Sequence, residues 1–160
     1  MNYIRIFSDA DGESHFEDVS VNIAPVDFAP PAPPLNMAAP LETERTILCA
    51  IPAAWIGDWH PAPRRQFYIQ LSGELEVSVS DGEKRKFSAG SLVLLEDCAG
   101  KGHLTRVAGS RGGGCCFCST AIGAAVSLAL RTKRHLPEFS LRKAEFAIAR
   151  PQRRLALQFH

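Results

Sequence analysis

The chain has 160 residues, 46% of them hydrophobic and 22% charged, with a formal net charge of +1. That is one domain with chain to spare and enough apolar content to bury a core, which excludes a wholly disordered protein. The balanced total also argues against a dedicated nucleic-acid binder, whose signature is a strong basic excess. The total conceals a division, however. Residues 1–110 hold 9 Lys/Arg against 15 Asp/Glu, a net −6, and residues 111–160 hold 9 against 2, a net +7. Such asymmetry flags parts with different roles. No run reaches the ~18–20 apolar residues of a membrane span. The start, Met1-Asn2-Tyr3-Ile4-Arg5, lacks the basic-then-apolar order of a signal peptide. Cys49, Cys98, Cys115, Cys116 and Cys118 therefore read as reduced thiols of a cytoplasmic protein.

In chain order, residues 3–7 predict a short strand, 8–18 an acidic turn-rich stretch, and 19–23 an alternating edge strand. Pro25, Pro30, Pro31, Pro33, Pro34 and Pro40 forbid a helix or a central strand, because each lacks an N–H. Residues 1–44 thus read as an N-terminal arm packing on the domain. From Arg45 the pattern is β. Strands are predicted over 46–51, 67–71, 74–80, 83–87, 91–95 and 104–107, with a tight Asp81-Gly82 hairpin between the third and fourth. In the third, Leu75, Val77 and Val79 share one face, and Glu74, Glu76 and Ser78 the other. Short strands separated by Gly turns predict an all-β sandwich or barrel.

After Gly109 no alternation is visible. Gly112-Gly113-Gly114 reads as a flexible break, Ser119 or Thr120 as the cap of a helix to about Arg134, and Ser140 as the cap of a second helix ending before Pro151. Cys115-Cys116-x-Cys118 with His135 has no standard zinc spacing. Residues 110–160 read as a basic, non-β extension, helical or disordered. A selected function for it would be binding of anions, RNA or a membrane surface.

The chemistry concentrates in two stretches. The first runs from Gly57 through Trp59, His60, Arg64, Arg65, Gln66, Tyr68 and Gln70 to Gly73-Glu74-Leu75. The second runs from Phe87 through Gly90 and Glu96-Asp97 to Gly102-His103. Together they resemble the two motifs of the cupin superfamily, G-x5-H-x-H-x3-4-E-x6-G and G-x5-P-x-G-x2-H-x3-N, most clearly over residues 45–108. The resemblance extends, through the acidic Glu13–Asp18 stretch, to small single-domain bacterial cupins. It implies a jelly-roll β-barrel core over 45–109, often a homodimer, with a ligand or metal pocket in its mouth. His60, Gly73, Gly90 and His103 match motif positions. Ala62 stands where the second His belongs, Gln66 where the Glu belongs, and Glu96 where the Pro belongs. The loop to His103 is two residues longer than the pattern.

A three-His-plus-Glu site is thereby reduced to His60, His103 and the weak neutral ligand Gln66, with His15 as a further candidate if the N-terminal arm folds over the mouth. Imidazole suits a divalent transition metal such as Fe, Mn, Ni or Zn, but three protein ligands are normally wanted. Strand parity puts Gln66, Tyr68 and Gln70 on one face, either lining a lumen or facing solvent. Arg64 and Arg65 suit bidentate contact with a carboxylate or phosphate, or a structural ion pair with Glu96 or Asp97. Two functions follow as expectations. One is a barrel binding a small polar or acidic molecule, with a weakly held divalent metal at His60/His103 or none. The other is a metal-dependent cupin enzyme of dioxygenase or isomerase type. Nucleic acid is expected only through the basic tail.

Overall fold

A computed structural model of the chain describes residues 1–120. The described residues form eleven strands and no helix. β1 (Asn2–Ser8) and β2 (Ser14–Ser20) make a hairpin, and β3 (Ala24–Val26) and β4 (Leu35–Met37) make a second, exposed one. Then come β5 (Thr43–Ile51), β6 (Gln66–Ser72), β7 (Glu74–Val79), β8 (Lys84–Ser88), β9 (Leu92–Leu95), β10 (His103–Val107) and β11 (Gly113–Thr120).

The strands form a six-stranded sheet in the order β2-β1-β9-β6-β11-β5, a three-stranded sheet in the order β10-β7-β8, and the small β3-β4 ribbon. The core lies where the two larger sheets face each other: Ile6 and Phe16 from the first hairpin, Tyr68, Val93 and Leu95 from the centre of the large sheet, and Leu75, Val77 and Phe87 from the small one. The alternation of β7 does what its pattern predicts, with Leu75, Val77 and Val79 all buried. No strand ladder joins the two sheets among the described residues, so the expected closed barrel is instead a pair of facing sheets. Ser14, fully buried, ties one to the other: its hydroxyl donates to the Gly102 carbonyl (2.6 Å) and accepts from the Ser80 amide (2.8 Å).

Three further expectations change. Residues 1–44 are more than an arm, because β1 and β2 are full members of the large sheet and β1 pairs in parallel with β9. The turn-rich reading of 8–18 holds only to Glu13. There the Asp9 carboxylate accepts from the amides of Asp11 (3.0 Å) and Glu13 (2.9 Å) and closes the hairpin. Charged side chains on the outer face of β2 hide an inward face marked only by Ser14 and Phe16.

The third change is at the C-terminal side. Gly113–Thr120, read as non-β, is β11, an inner strand paired with both β5 and β6. The glycine run is there for close approach, not flexibility. A Cβ on Gly112 would lie 2.1 Å from the Ile51 carbonyl oxygen, and one on Gly113 2.5 Å from that of Ser72. Ser119 and Thr120 end this strand instead of capping a helix. The rest of that predicted helix, the second helix and most of the basic extension lie outside the described residues. No helix among the described residues is long and apolar enough to cross a membrane.

Candidate functional site

His60 precedes β6 in sequence yet sits beside β10. The segment 55–60 runs antiparallel to β10: the Gly57 amide donates to Thr105 O (2.9 Å), and the Val107 amide to Trp55 O (2.9 Å). At the end of this run His60 and His103 exchange two backbone hydrogen bonds, of 3.1 and 3.0 Å. Directly paired residues put their side chains on one face, and the two imidazoles pack with centroids 4.9 Å apart. Gly102 allows this approach. Its φ is +67°, and a Cβ there would lie 2.1 Å from the His60 carbonyl oxygen.

Each imidazole has one ring nitrogen held. His60 Nδ1 lies 2.8 Å from the Asp58 carbonyl, and His103 Nδ1 lies 2.6 Å from Asp97 Oδ2. A carbonyl only accepts, so His60 Nδ1 carries a proton. The carboxylate selects the same tautomer in a neutral His103. In both rings Nε2 is left open, the arrangement in which imidazole serves as a metal ligand or receives a ligand proton. Asp97 is completely buried, and its other oxygen, Oδ1, has no hydrogen-bond partner.

Both histidines line a cavity of about 480 Å³ between the two sheets. Its floor is made by buried side chains of the core, among them Ile6, Leu75, Val77, Phe87 and Val93. Its mouth carries the exposed Arg45, Arg64 and His60, with Trp55 alongside. Between floor and mouth stand the buried polar groups of Gln66, His103 and Ser119, and the Ser119 hydroxyl has no partner.

The predicted residues therefore divide. His60, Arg64, Gln66, Tyr68 and His103 come together at one cavity. Gln70 shares the inward face but does not line the cavity. It is fully buried, accepts from the Tyr68 hydroxyl and donates to the Ser72 carbonyl (2.6 Å). Burial, then the neighbouring Cys115, pushes the Tyr68 phenol far above its ordinary value, so it remains a neutral donor. Arg65 makes the structural ion pair, with Nε 2.5 Å from Glu96, which Arg5 also contacts. Burial alone would raise the Glu96 carboxyl, but the hydrogen bonds from Arg5 and Arg65 outweigh it and hold the group below its usual value.

His15 stands elsewhere. Both its ring nitrogens face carboxylates, Nε2 at 2.9 Å from Asp9 and Nδ1 at 2.7 Å from Asp81. Among the described residues no group of three or more His, Cys, Asp or Glu side chains gathers as a metal site. The cavity lining includes the two imidazoles, the Gln66 amide and the Cys49 thiol, which do not gather as a group of three metal donors.

Sequence reasoning missed Asp97 as the partner of His103, and it missed Arg45, Phe117 and Ser119. The first has a signal in hindsight, an Asp on the loop that returns to the motif His. The others lie on β5 and β11, whose places beside β6 no local pattern announces.

No family model matches the chain, and no curated protein matches it. Among solved structures it is similar to the Schizosaccharomyces pombe Cnp3 cupin domain, at 12% sequence identity and a TM-score of 0.41, over 76% of this chain and 83% of that one.

Proposed function

We propose that the chain is a small cupin-like binding protein whose cavity takes a small carboxylic acid with an apolar body. The observation that carries this reading is the polarity gradient of the cavity, from buried aliphatic and aromatic groups at the floor to Arg45, Arg64 and His60 at the mouth. A volume near 480 Å³ suits a metabolite-sized molecule. Arg64 has no ion-pair partner among the described residues and offers a planar donor fork to a carboxylate. The open Nε2 atoms of His60 and His103 and the Gln66 amide supply the remaining polar contacts. A divalent transition metal at His60 and His103 would be weakly held and would draw its other ligands from water or from the bound acid. A metal-dependent enzyme is the less favoured reading, because the described residues gather two imidazoles where three protein ligands are normally needed.

Calorimetric titration with hexanoate, octanoate and the alcohol of matching length tests this reading. Each added methylene should tighten binding by up to roughly fourfold, from about 0.8 kcal/mol per buried CH₂. The alcohol should bind about tenfold more weakly or worse, the cost of a charge-assisted hydrogen bond. Arg64→Met should erase the difference between acid and alcohol. Equal binding of the two by the unaltered protein would sink the carboxylate assignment. Titration with Mn²⁺, Ni²⁺ or Zn²⁺ alone tests the metal: a tight, stoichiometric site lost in His60→Ala would return the enzyme reading to the front.

A further inference from the structure

The cavity wall formed by β5 and β11 holds two thiols that the binding reading does not use. Cys49 and Cys115 are direct partners in the β5–β11 ladder. Cys49 is exposed and lines the cavity, whereas Cys115 is buried behind it. Partners in an antiparallel ladder project to the same face with Cα atoms about 4.5–5.5 Å apart, inside the range a disulfide spans. Their Cβ atoms, about 4.5–5.5 Å apart in such a pair, need only a small closure to reach disulfide geometry. β5 can supply it, because among the described residues it is an edge strand tied to the sheet through β11 alone. The other thiols stand differently. Cys116 and Cys118 occupy the opposite face of β11, with sulfurs 3.7 Å apart, and Cys98 lies on the loop after β9.

We propose that Cys49 and Cys115 form a peroxide-oxidisable thiol pair in the cavity wall, with Cys49 the attacking and Cys115 the resolving residue. The Cys49 thiolate attacks one oxygen of hydrogen peroxide. A sulfur–oxygen bond forms, the O–O bond breaks, and hydroxide leaves, taking up a proton as water. The Cys115 sulfur then attacks the Cys49 sulfenic acid. The S–S bond forms, the S–O bond breaks, and the thiol proton of Cys115 departs with the hydroxyl as a second water. Two thiols are oxidised, and one peroxide is reduced to two waters. Within the pair the direct reaction with peroxide falls to Cys49, which is exposed where Cys115 is buried. Burial, then the adjacent Cys49, pushes the Cys115 thiol up to about 11, so it stays protonated until its neighbour has been activated.

The test uses the full chain, fully reduced, treated with equimolar hydrogen peroxide, then capped with N-ethylmaleimide, digested and mapped by tandem mass spectrometry. The expected product is a Cys49–Cys115 crosslink, two hydrogens lighter than the dithiol, with Cys98, Cys116 and Cys118 capped. The Cys116→Ser/Cys118→Ser double variant should give the same crosslink, which fixes the assignment within the closely spaced thiols of β11. Cys115→Ser should instead trap a dimedone-reactive sulfenic acid on Cys49. A Cys116–Cys118 bridge with Cys49 capped would overturn the proposal. So would Cys49 carried on to sulfinic acid with Cys115 still capped, or all five thiols capped after treatment.

Discussion

Two histidines weighed as metal ligands, His15 and His103, end in opposite situations. Each has a carboxylate within 2.9 Å. His15 lies on the outer face of β2, partly open to solvent, with a carboxylate at each ring nitrogen. His103 is buried, has Asp97 at one nitrogen, and turns its ring towards a cavity. Hydrogen bonds donated to the Asp9 and Asp81 carboxylates raise the His15 pKa above its ordinary value, which favours the charged ring as a bridge between two surface acids. The lesson is that the number of ring nitrogens already engaged separates a structural histidine from an available one better than the nearness of acids does.

The largest blow to this contrast should come from Gly102→Ala. The new Cβ would collide with the His60 backbone at 2.1 Å, at a φ of +67° that alanine tolerates poorly. A loss of at least about 3 kcal/mol is expected. It should appear as a fall in the urea midpoint together with loss of acid binding. An alanine variant of unchanged stability would mean that the His60–His103 bridge is not as tight as described.

Asp97→Ala should be next, at about 2 kcal/mol, because a buried imidazole N–H is left without its acceptor. Its sharper effect should fall on the site, since nothing then fixes the His103 tautomer. Acid binding that survives Asp97→Ala unchanged would show that the buried pair does not orient the site.

His15→Gln should be the mildest and should show its effect only through pH. The folded pKa of His15 is raised, so its contribution is fully present below the unfolded value near 6.5. It is lost as pH rises through the folded value. Melting temperatures of the variant and the unaltered protein should therefore differ most near pH 6 and converge in alkaline buffer. A gap constant across that range would remove the charged bridge from the account.

How much of this was legible follows from where the information lies. β7 was legible because Leu75, Val77 and Val79 alternate in contact with a core on one side only. The Asp81-Gly82 turn was legible because its chemistry is local. β11 was not, because glycine and cysteine carry little strand preference. The reason for Gly112 and Gly113 is the backbone of other strands, many residues away. Of the cavity-lining residues, His60, Gln66 and His103 stand at positions that the sequence resemblance singled out, and Tyr68 shares its parity with Gln66. Gln70 was placed on the correct face but one step too far along it, where the Tyr68 hydroxyl and the Ser72 carbonyl engage its amide. The pairing of Asp97 with His103 depends on how the extended loop folds back, which spacing alone does not encode.

The outer edge at β5 has a consequence for handling the protein. Nine residues run there without a proline, Ile47 and Leu48 are half or more exposed, and among the described residues no strand covers the far side. Such an edge offers its unpaired amides and carbonyls to whatever extended chain arrives next. Leu48, on the side of β5 that faces away from the cavity, is the most exposed apolar residue of that edge among the described residues, and a lysine there would act as a gatekeeper without touching the site.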